Sequence, residues 1–316
     1  MQIRSHNNSV QKELNSHKPE SLNLQSAPPH LKPCTFVLPH GHWPTVLDCL
    51  CDSFPAIHRQ HWLSRFEREL VLDNHRQPIR HDRPHQTGLR IYYFREIANE
   101  KEIPFYESIL YMDEHLLVAD KPHFLPVTPS GDYVSQTLLS RLIARFQNPE
   151  LQPLHRIDRH TAGLVLFSVQ KKTRGLYQAL FRDQKIDKCY EAIAPALPQL
   201  SFPHTRATRI VRGDPFFLSQ EVDGEVNAQT IIDVIEQRGD LCRYALQPVS
   251  GKKHQLRLHM AALGAPICND ALYPVVNDAI ADDYEKPLQL LASDVTFVDP
   301  LSGTPRYFKS ELRLDW

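Results

Sequence analysis

From residue 103 onward, strand-like apolar runs and helical stripes follow one another with no regular strand–helix–strand rhythm. Residues 163–169, 189–194, 228–235 and 241–249 read as strands, and 171–181 and 254–263 as helices. Leu138, Leu139, Leu142, Ile143 and Phe146 repeat at helical spacing and read as a core stripe. The apolar stretch 108–119, broken by one acidic turn, is closed by Asp120-Lys121-Pro122, because proline cannot continue a central strand. This pattern speaks against a doubly wound parallel sheet. It fits an α+β domain, in which helices flank a large, mainly antiparallel mixed sheet. Glycine narrows the choice further. Only 11 of 316 residues are Gly, and no stretch forms G-x-G-x-x-G or G-x-x-x-x-G-K. Both motifs need a backbone that approaches phosphate closely, so a dinucleotide fingerprint and a P-loop are excluded.

The length allows about two domains. We expect a flexible polar tail over 1–33, a small α/β module over 34–97 and a larger domain over 103–316. Ile57, Trp62, Phe66 and Leu70 place one amphipathic helix near 58–70, with strands expected at 69–72 and 89–94. Between Arg59 and Arg95 the module carries eight Arg, no Lys and four acidic residues. Arginine suits phosphate contacts, since its planar fork bonds two oxygens; a solvated charged face is the plainer reading of the same residues. The whole chain has a formal net charge of -1, so global charge identifies no polyanionic partner. Six cysteines at irregular spacings, none in C-x-x-C, read as reduced thiols. With no apolar leader and no membrane-length apolar run, a cytoplasmic location is expected.

Three segments could carry chemistry. The first is His155-Arg156-Ile157-Asp158-Arg159-His160-Thr161-Ala162-Gly163, a polar cluster that runs directly into the apolar Leu164–Phe167. Asp158 lies between two arginines that favour its ionised form, and a carboxylate at the mouth of an apolar core can act as a nucleophile or base. A capped turn with surface ion pairs would look the same. The second is Ser250-Gly251-Lys252-Lys253-His254-Gln255-Leu256-Arg257-Leu258-His259. A helix that starts this positively is disfavoured by its own dipole unless an anion or a partner carboxylate sits there. His254 and His259 are five apart with no Glu between them, which argues against zinc. The third is Ile186-Asp187-Lys188-Cys189-Tyr190-Glu191-Ala192-Ile193, with Tyr190 in a strand and its two neighbours facing the other way.

Together these segments resemble the RluA-type pseudouridine synthase family. The stretch 155–163 is similar to the family motif H-R-L-D-x-x-T-S-G, Lys188-Cys189-Tyr190 to its K-x-Y strand, and Gly251 to His259 to G-R-T-H-Q-[IL]-R-V-H. Gly264-Ala265-Pro266-Ile267-Cys268-Asn269-Asp270-Ala271-Leu272-Tyr273 resembles G-x-P-I-x-G-D-x-L-Y, and 109–122 resembles the family's opening strand pair. The resemblance covers about 105–275 in the correct order. Ile157, Ala162, Lys252, Lys253 and Asn269 depart from it. The N-terminal module faintly resembles the small RNA-binding domain of ribosomal protein S-four, without its usual V-N-G turn.

The resemblance implies isomerisation of uridine to pseudouridine in a structured RNA, a stem-loop of large-subunit ribosomal RNA or transfer RNA, without a cofactor or metal; a monomer is the default expectation. Asp158 would be the central catalytic group, Arg257 would pair with it, and Tyr190 would stack on the uracil. Leu256 would support the base, and Arg156 would fill the gap left by the flipped nucleotide. His155, Thr161, Lys252, Lys253 and Gln255 complete the expected substrate-binding set. Two alternatives remain at this point. One is a catalytically silent RNA-binding protein on the same fold, motivated by Lys252, Lys253 and Asn269. The other is an Asp-based glycosidase, for which Asp158, Asp187 and Glu191 show no paired spacing.

Overall fold

The computed structural model describes residues 31–97, 99–276 and 282–316, so most of the expected polar tail lies outside the described residues. By their contacts the described residues form two compact units, one over 31–101 with Pro129–Pro149, the other over Glu102–Thr128 and Glu150–Trp316.

In the first unit, strands β1 (Cys34–Val37), β2 (Val71–Leu72) and β3 (Arg90–Tyr93) form an antiparallel sheet with β3 in the middle. Helix α1 (Val46–Ser53) starts at Thr45, whose hydroxyl oxygen accepts from the Asp48 N–H, an N-cap that satisfies one of the helix's orphan donors. Helix α2 (Arg59–Glu67) lies within the expected 58–70 segment. Both helices bury their apolar residues in one core, Val46, Leu50, Trp62 and Phe66 against Ile91 of β3. Helix α3 (Leu138–Phe146) belongs to this unit as well, although the sequence reading places it in the larger domain. The reason lies in its entry. The Glu100 carboxylate accepts backbone N–H groups of Val134, Ser135 and Gln136 at 2.7–2.9 Å, and Val134 packs with Leu70 and Phe94.

The second unit is a mixed sheet of eleven strands: β4 (Ser108–Met112), β5 (Leu116–Lys121), β6 (Gln152–Pro153), β7 (Ala162–Ser168), β8 (Ile186–Pro195), β9 (His204–Arg212), β10 (Ser219–Val222), β11 (Ala228–Arg238), β12 (Leu241–Pro248), β13 (Leu290–Val298) and β14 (Pro305–Lys309). Nine of them run in the order β10-β9-β11-β12-β8-β13-β7-β5-β4, with β14 beside β13 and β6 beside β7. Every pairing is antiparallel except β13 with β7. The expected α+β class with a large, mainly antiparallel sheet is therefore observed. Helix α4 (Lys171–Arg182) packs Tyr177 and Leu180 on Leu116, Val118, Leu164 and Leu166. Helix α5 (Gln255–Ala262) packs Leu256 and Met260 against Ala192, Tyr244 and Leu246. No helix among the described residues is long and apolar enough to cross a membrane.

The parallel junction requires a glycine. Gly163 has φ +108°, and a Cβ there would lie 2.2 Å from the Ala292 carbonyl oxygen. Its bare backbone lets β7 close on β13, in the register Ala292 to Gly163. The same closure fixes where the preceding loop, with Asp158, leaves the sheet.

Candidate active site

Three elements of the second unit converge on Asp158. The loop ahead of β7 presents it, and the Thr161 N–H donating to its backbone carbonyl at 3.1 Å closes the turn. Tyr190 comes from β8, opposite Ala292 of the neighbouring strand. Arg257 comes from the first turn of α5, with its Nη1 3.5 Å from Asp158 Oδ2. The Arg257 side chain is 3% exposed and that of Asp158 29%, so the cation forms the floor and the carboxylate reaches toward solvent.

Arg257 is held from behind by Asp270. Its Nε and Nη2 donate to the two Asp270 oxygens at 2.8 and 2.5 Å, a fork that matches the planar guanidinium. Asp270 Oδ1 also accepts the N–H groups of Leu272 and Tyr273. Burial works against the Arg257 charge, but the Asp270 fork and the nearby Asp158 outweigh it and raise the group above its ordinary range. The positive start of α5 is thus met by two carboxylates, as the helix dipole demands. The helix begins only at Gln255, so Lys252 and Lys253 stand exposed in the turn before it and do not share a helical face with Arg257.

Burial pushes the Tyr190 phenol well above its usual range, and the Asp158 charge pushes it the same way. Tyr190 therefore stays neutral at physiological pH, a flat polar-tipped ring packed against the apolar cluster that contains Leu256. Its neighbour Glu191 pairs with Arg243 at 3.0 Å, as its opposite facing requires.

Arg159, beside Asp158 in the chain, turns away from it: Nε donates to the Phe124 carbonyl at 3.1 Å, and the guanidinium pairs with Asp282. Arg156 is exposed. The cation that meets Asp158 is thus Arg257, brought across the fold, and not a sequence neighbour.

Three of the expected substrate-binding residues are engaged in the scaffold. The His155 ring stacks on Phe181 at 4.8 Å, its Nε2 accepts the Leu166 N–H at 3.1 Å, and burial drops its pKa to about 3. It anchors the loop to β7 as a neutral ring. Gln255 is buried; its Oε1 accepts from the Ser250 hydroxyl and the Lys252 N–H, and its Nε2 donates to the Gln229 carbonyl and Thr230 Oγ1. Thr161 is buried at the loop's end. Asn269, where the resembled family carries Gly, has φ +62°, and its Nδ2 donates to the Pro287 carbonyl at 2.9 Å. Asparagine tolerates this left-handed conformation better than most side chains, so the departure leaves the backbone path intact.

Sequence reasoning missed Lys121, His254, Asp270 and Tyr273 as site residues. Lys121 is fully buried at the end of β5, and its Nζ donates to the carbonyls of Pro122 at 2.9 Å and Arg159 at 3.1 Å. Burial drops its pKa to about 7, against the pull of Asp158. It ties the Asp158 loop to the sheet. Its sequence signals were its place before the strand-ending proline and inside the 109–122 stretch that resembles the family's opening strand pair.

The model of a family described as RNA pseudouridylate synthase matches residues 115–262. Over 209 residues the chain is 31% identical to the dual-specificity RNA pseudouridine synthase RluA of Salmonella typhi, covering 64% of this chain and 91% of that protein. It is 29% identical over 231 residues to an uncharacterized RNA pseudouridine synthase of Synechocystis, covering 72% of this chain and 79% of that one. The solved structure of human RNA pseudouridylate synthase domain containing 4 shares the fold, with a TM-score of 0.52 at 24% identity over 65% of this chain and 88% of that one. These findings define an enzyme that isomerises uridine in RNA. The chain belongs to the RNA pseudouridylate synthase family. The family match begins at residue 115 and so leaves the N-terminal module outside it.

Proposed function

We propose that Asp158 is the catalytic group of this isomerase and that its target uridine lies in a stem-loop of ribosomal or transfer RNA. The observation that carries this reading is the pairing of a part-exposed Asp158 with the buried, Asp270-held Arg257 beside the neutral ring of Tyr190. In the reaction the bond between N1 and C1′ breaks, the uracil turns, and C5 bonds to C1′. The C5 proton leaves, and N1 is protonated. No redox step occurs, and no cofactor or metal is required. Asp158 acts on the ribose or on the base, and Arg257 balances its charge throughout. Tyr190 stacks on the uracil and its hydroxyl serves proton transfer, while Leu256 backs the apolar side. Arg156, exposed on the same loop, occupies the space left by the extruded nucleotide. A single-stranded loop makes that extrusion inexpensive, which favours a stem-loop target. Lys252 and Lys253, exposed ahead of α5, contact phosphate. A dual-specificity relative that matches 64% of the chain supports looking in both RNA classes. We take the chain to work as a cytoplasmic monomer.

The test is tritium release from RNA labelled at uridine C5, taken from a strain that lacks this gene. Wild type should release tritium and Asp158→Ala should not, with RNA binding retained. Release by Asp158→Ala at the wild-type rate would refute the assignment. Release of free uracil would instead mark a glycosidase.

A further inference from the structure

One histidine beside the site is absent from the mechanism above. His254 precedes α5 with φ +57°, a left-handed conformation that is strained for a side-chain-bearing residue. Its Nε2 lies 3.9 Å from Asp158 Oδ2, the same oxygen that Arg257 approaches at 3.5 Å. Its Nδ1 lies 2.9 Å from the Tyr273 hydroxyl.

The hydrogen bonds around Tyr273 select the tautomer. The Tyr273 oxygen accepts the Ser219 N–H at 2.8 Å, so its own proton goes either to His254 Nδ1 at 2.9 Å or to the Ser219 carbonyl at 3.2 Å. The histidine nitrogen is the closer acceptor. Donation to it leaves Nε2 protonated and turned toward the carboxylate. The other tautomer would set a bare nitrogen lone pair against Asp158, which is electrostatically unfavourable. The charged groups around the ring are Asp158, Arg257, Lys253 and Asp270. Burial dominates them and drops the ring's pKa to about 4, so it is neutral at pH 7.

We propose that His254 is a positioning residue for Asp158. Fixed by the Tyr273 hydroxyl at Nδ1, its Nε2–H and Arg257 together hold Oδ2, which leaves Oδ1 to face the nucleotide. This rests on Asp158 being the catalytic group. Both contacts to Oδ2 are longer than a hydrogen bond in the free enzyme and shorten when the flipped base excludes water.

The experiment measures single-turnover tritium release with excess enzyme, using the same C5-labelled RNA, and RNA affinity by filter binding. His254→Ala should slow release about 10- to 100-fold, the worth of one hydrogen bond to a charged group, and leave affinity within about twofold. His254→Gln, which keeps an N–H near the Nε2 position, should recover most of the rate. Tyr273→Phe, which keeps the ring and removes the hydroxyl, should fall between them. Circular dichroism confirms that each variant is folded. If Asp158→Ala is silent while His254→Ala runs at the wild-type rate, or if folded Gln and Ala variants are equally slow, this inference fails alone. If Asp158→Ala releases tritium normally, the assignment of Asp158 falls and this inference with it.

Discussion

Asp270→Asn tests whether a second carboxylate holds the site together. Arg257 and Asp270 have side chains 3% and 1% exposed, so water cannot replace the partner that is removed. The amide oxygen of Asn could still accept from Leu272 and Tyr273, which Asp270 Oδ1 does now. It could not accept both arms of the guanidinium, because its NH2 group would point a donor at a donor. Breaking a buried ion pair from one side costs about 3–5 kcal/mol, since the remaining charge stays buried. We expect a loss of that size in urea unfolding followed by far-ultraviolet circular dichroism. Arg257 would then turn toward Asp158, its other carboxylate contact among the described residues, now at 3.5 Å, and tritium release should slow at least tenfold. The control is Arg257→Met. In that background Asp270 has no buried guanidinium to pair with, so Asp270→Asn should cost about 3 kcal/mol less than in wild type. Additive losses in the two variants, or a loss in Asp270→Asn below about 1 kcal/mol, would refute the argument.

Lys121 makes stability depend on pH. Its folded pKa of about 7 lies below the ordinary lysine value of 10.5, so between these values the unfolded chain holds the extra proton and stability rises with pH. Comparing wild type with Lys121→Met should show this rise in wild type alone, with a limiting slope of about 1.4 kcal/mol per pH unit; parallel profiles would contradict it. Gly163→Ala should cost more than about 3 kcal/mol and abolish soluble expression or lower Tm sharply, because the added methyl meets the Ala292 carbonyl oxygen at 2.2 Å in a backbone conformation only glycine adopts easily. Lys252→Ala with Lys253→Ala should weaken RNA binding and flatten the dependence of log affinity on log salt by roughly 0.7 per lysine; an unchanged slope would show that neither meets phosphate.

What the sequence made legible follows from which interactions are local. Helices α2 and α4 and strands β11 and β12 announce themselves through the period that burial of one face leaves in the chain, and β7, buried at every position, through its unbroken apolar run. Strand β9 has only Ala207, Ile210 and Val211 as apolar residues among six polar ones, and β14 sets its two aromatic residues side by side, so neither carries a hydrophobic alternation in its sequence. Their strand character comes from their neighbours: β9 from β10 and β11, β14 from β13. The site divides in the same way. Asp158, Tyr190 and Arg257 were legible through ordered motifs, each a short local string. The role of Asp270 was not, since it exists only once the turn after α5 brings that carboxylate under Arg257. His155 and Gln255 show the converse: they sit inside the most recognisable strings yet spend their polar atoms on Leu166, Ser250, Gln229 and Thr230. A motif therefore marks the segments that must meet, and only the hydrogen bonds of the folded chain separate residues that face the substrate from those that hold the segments in place.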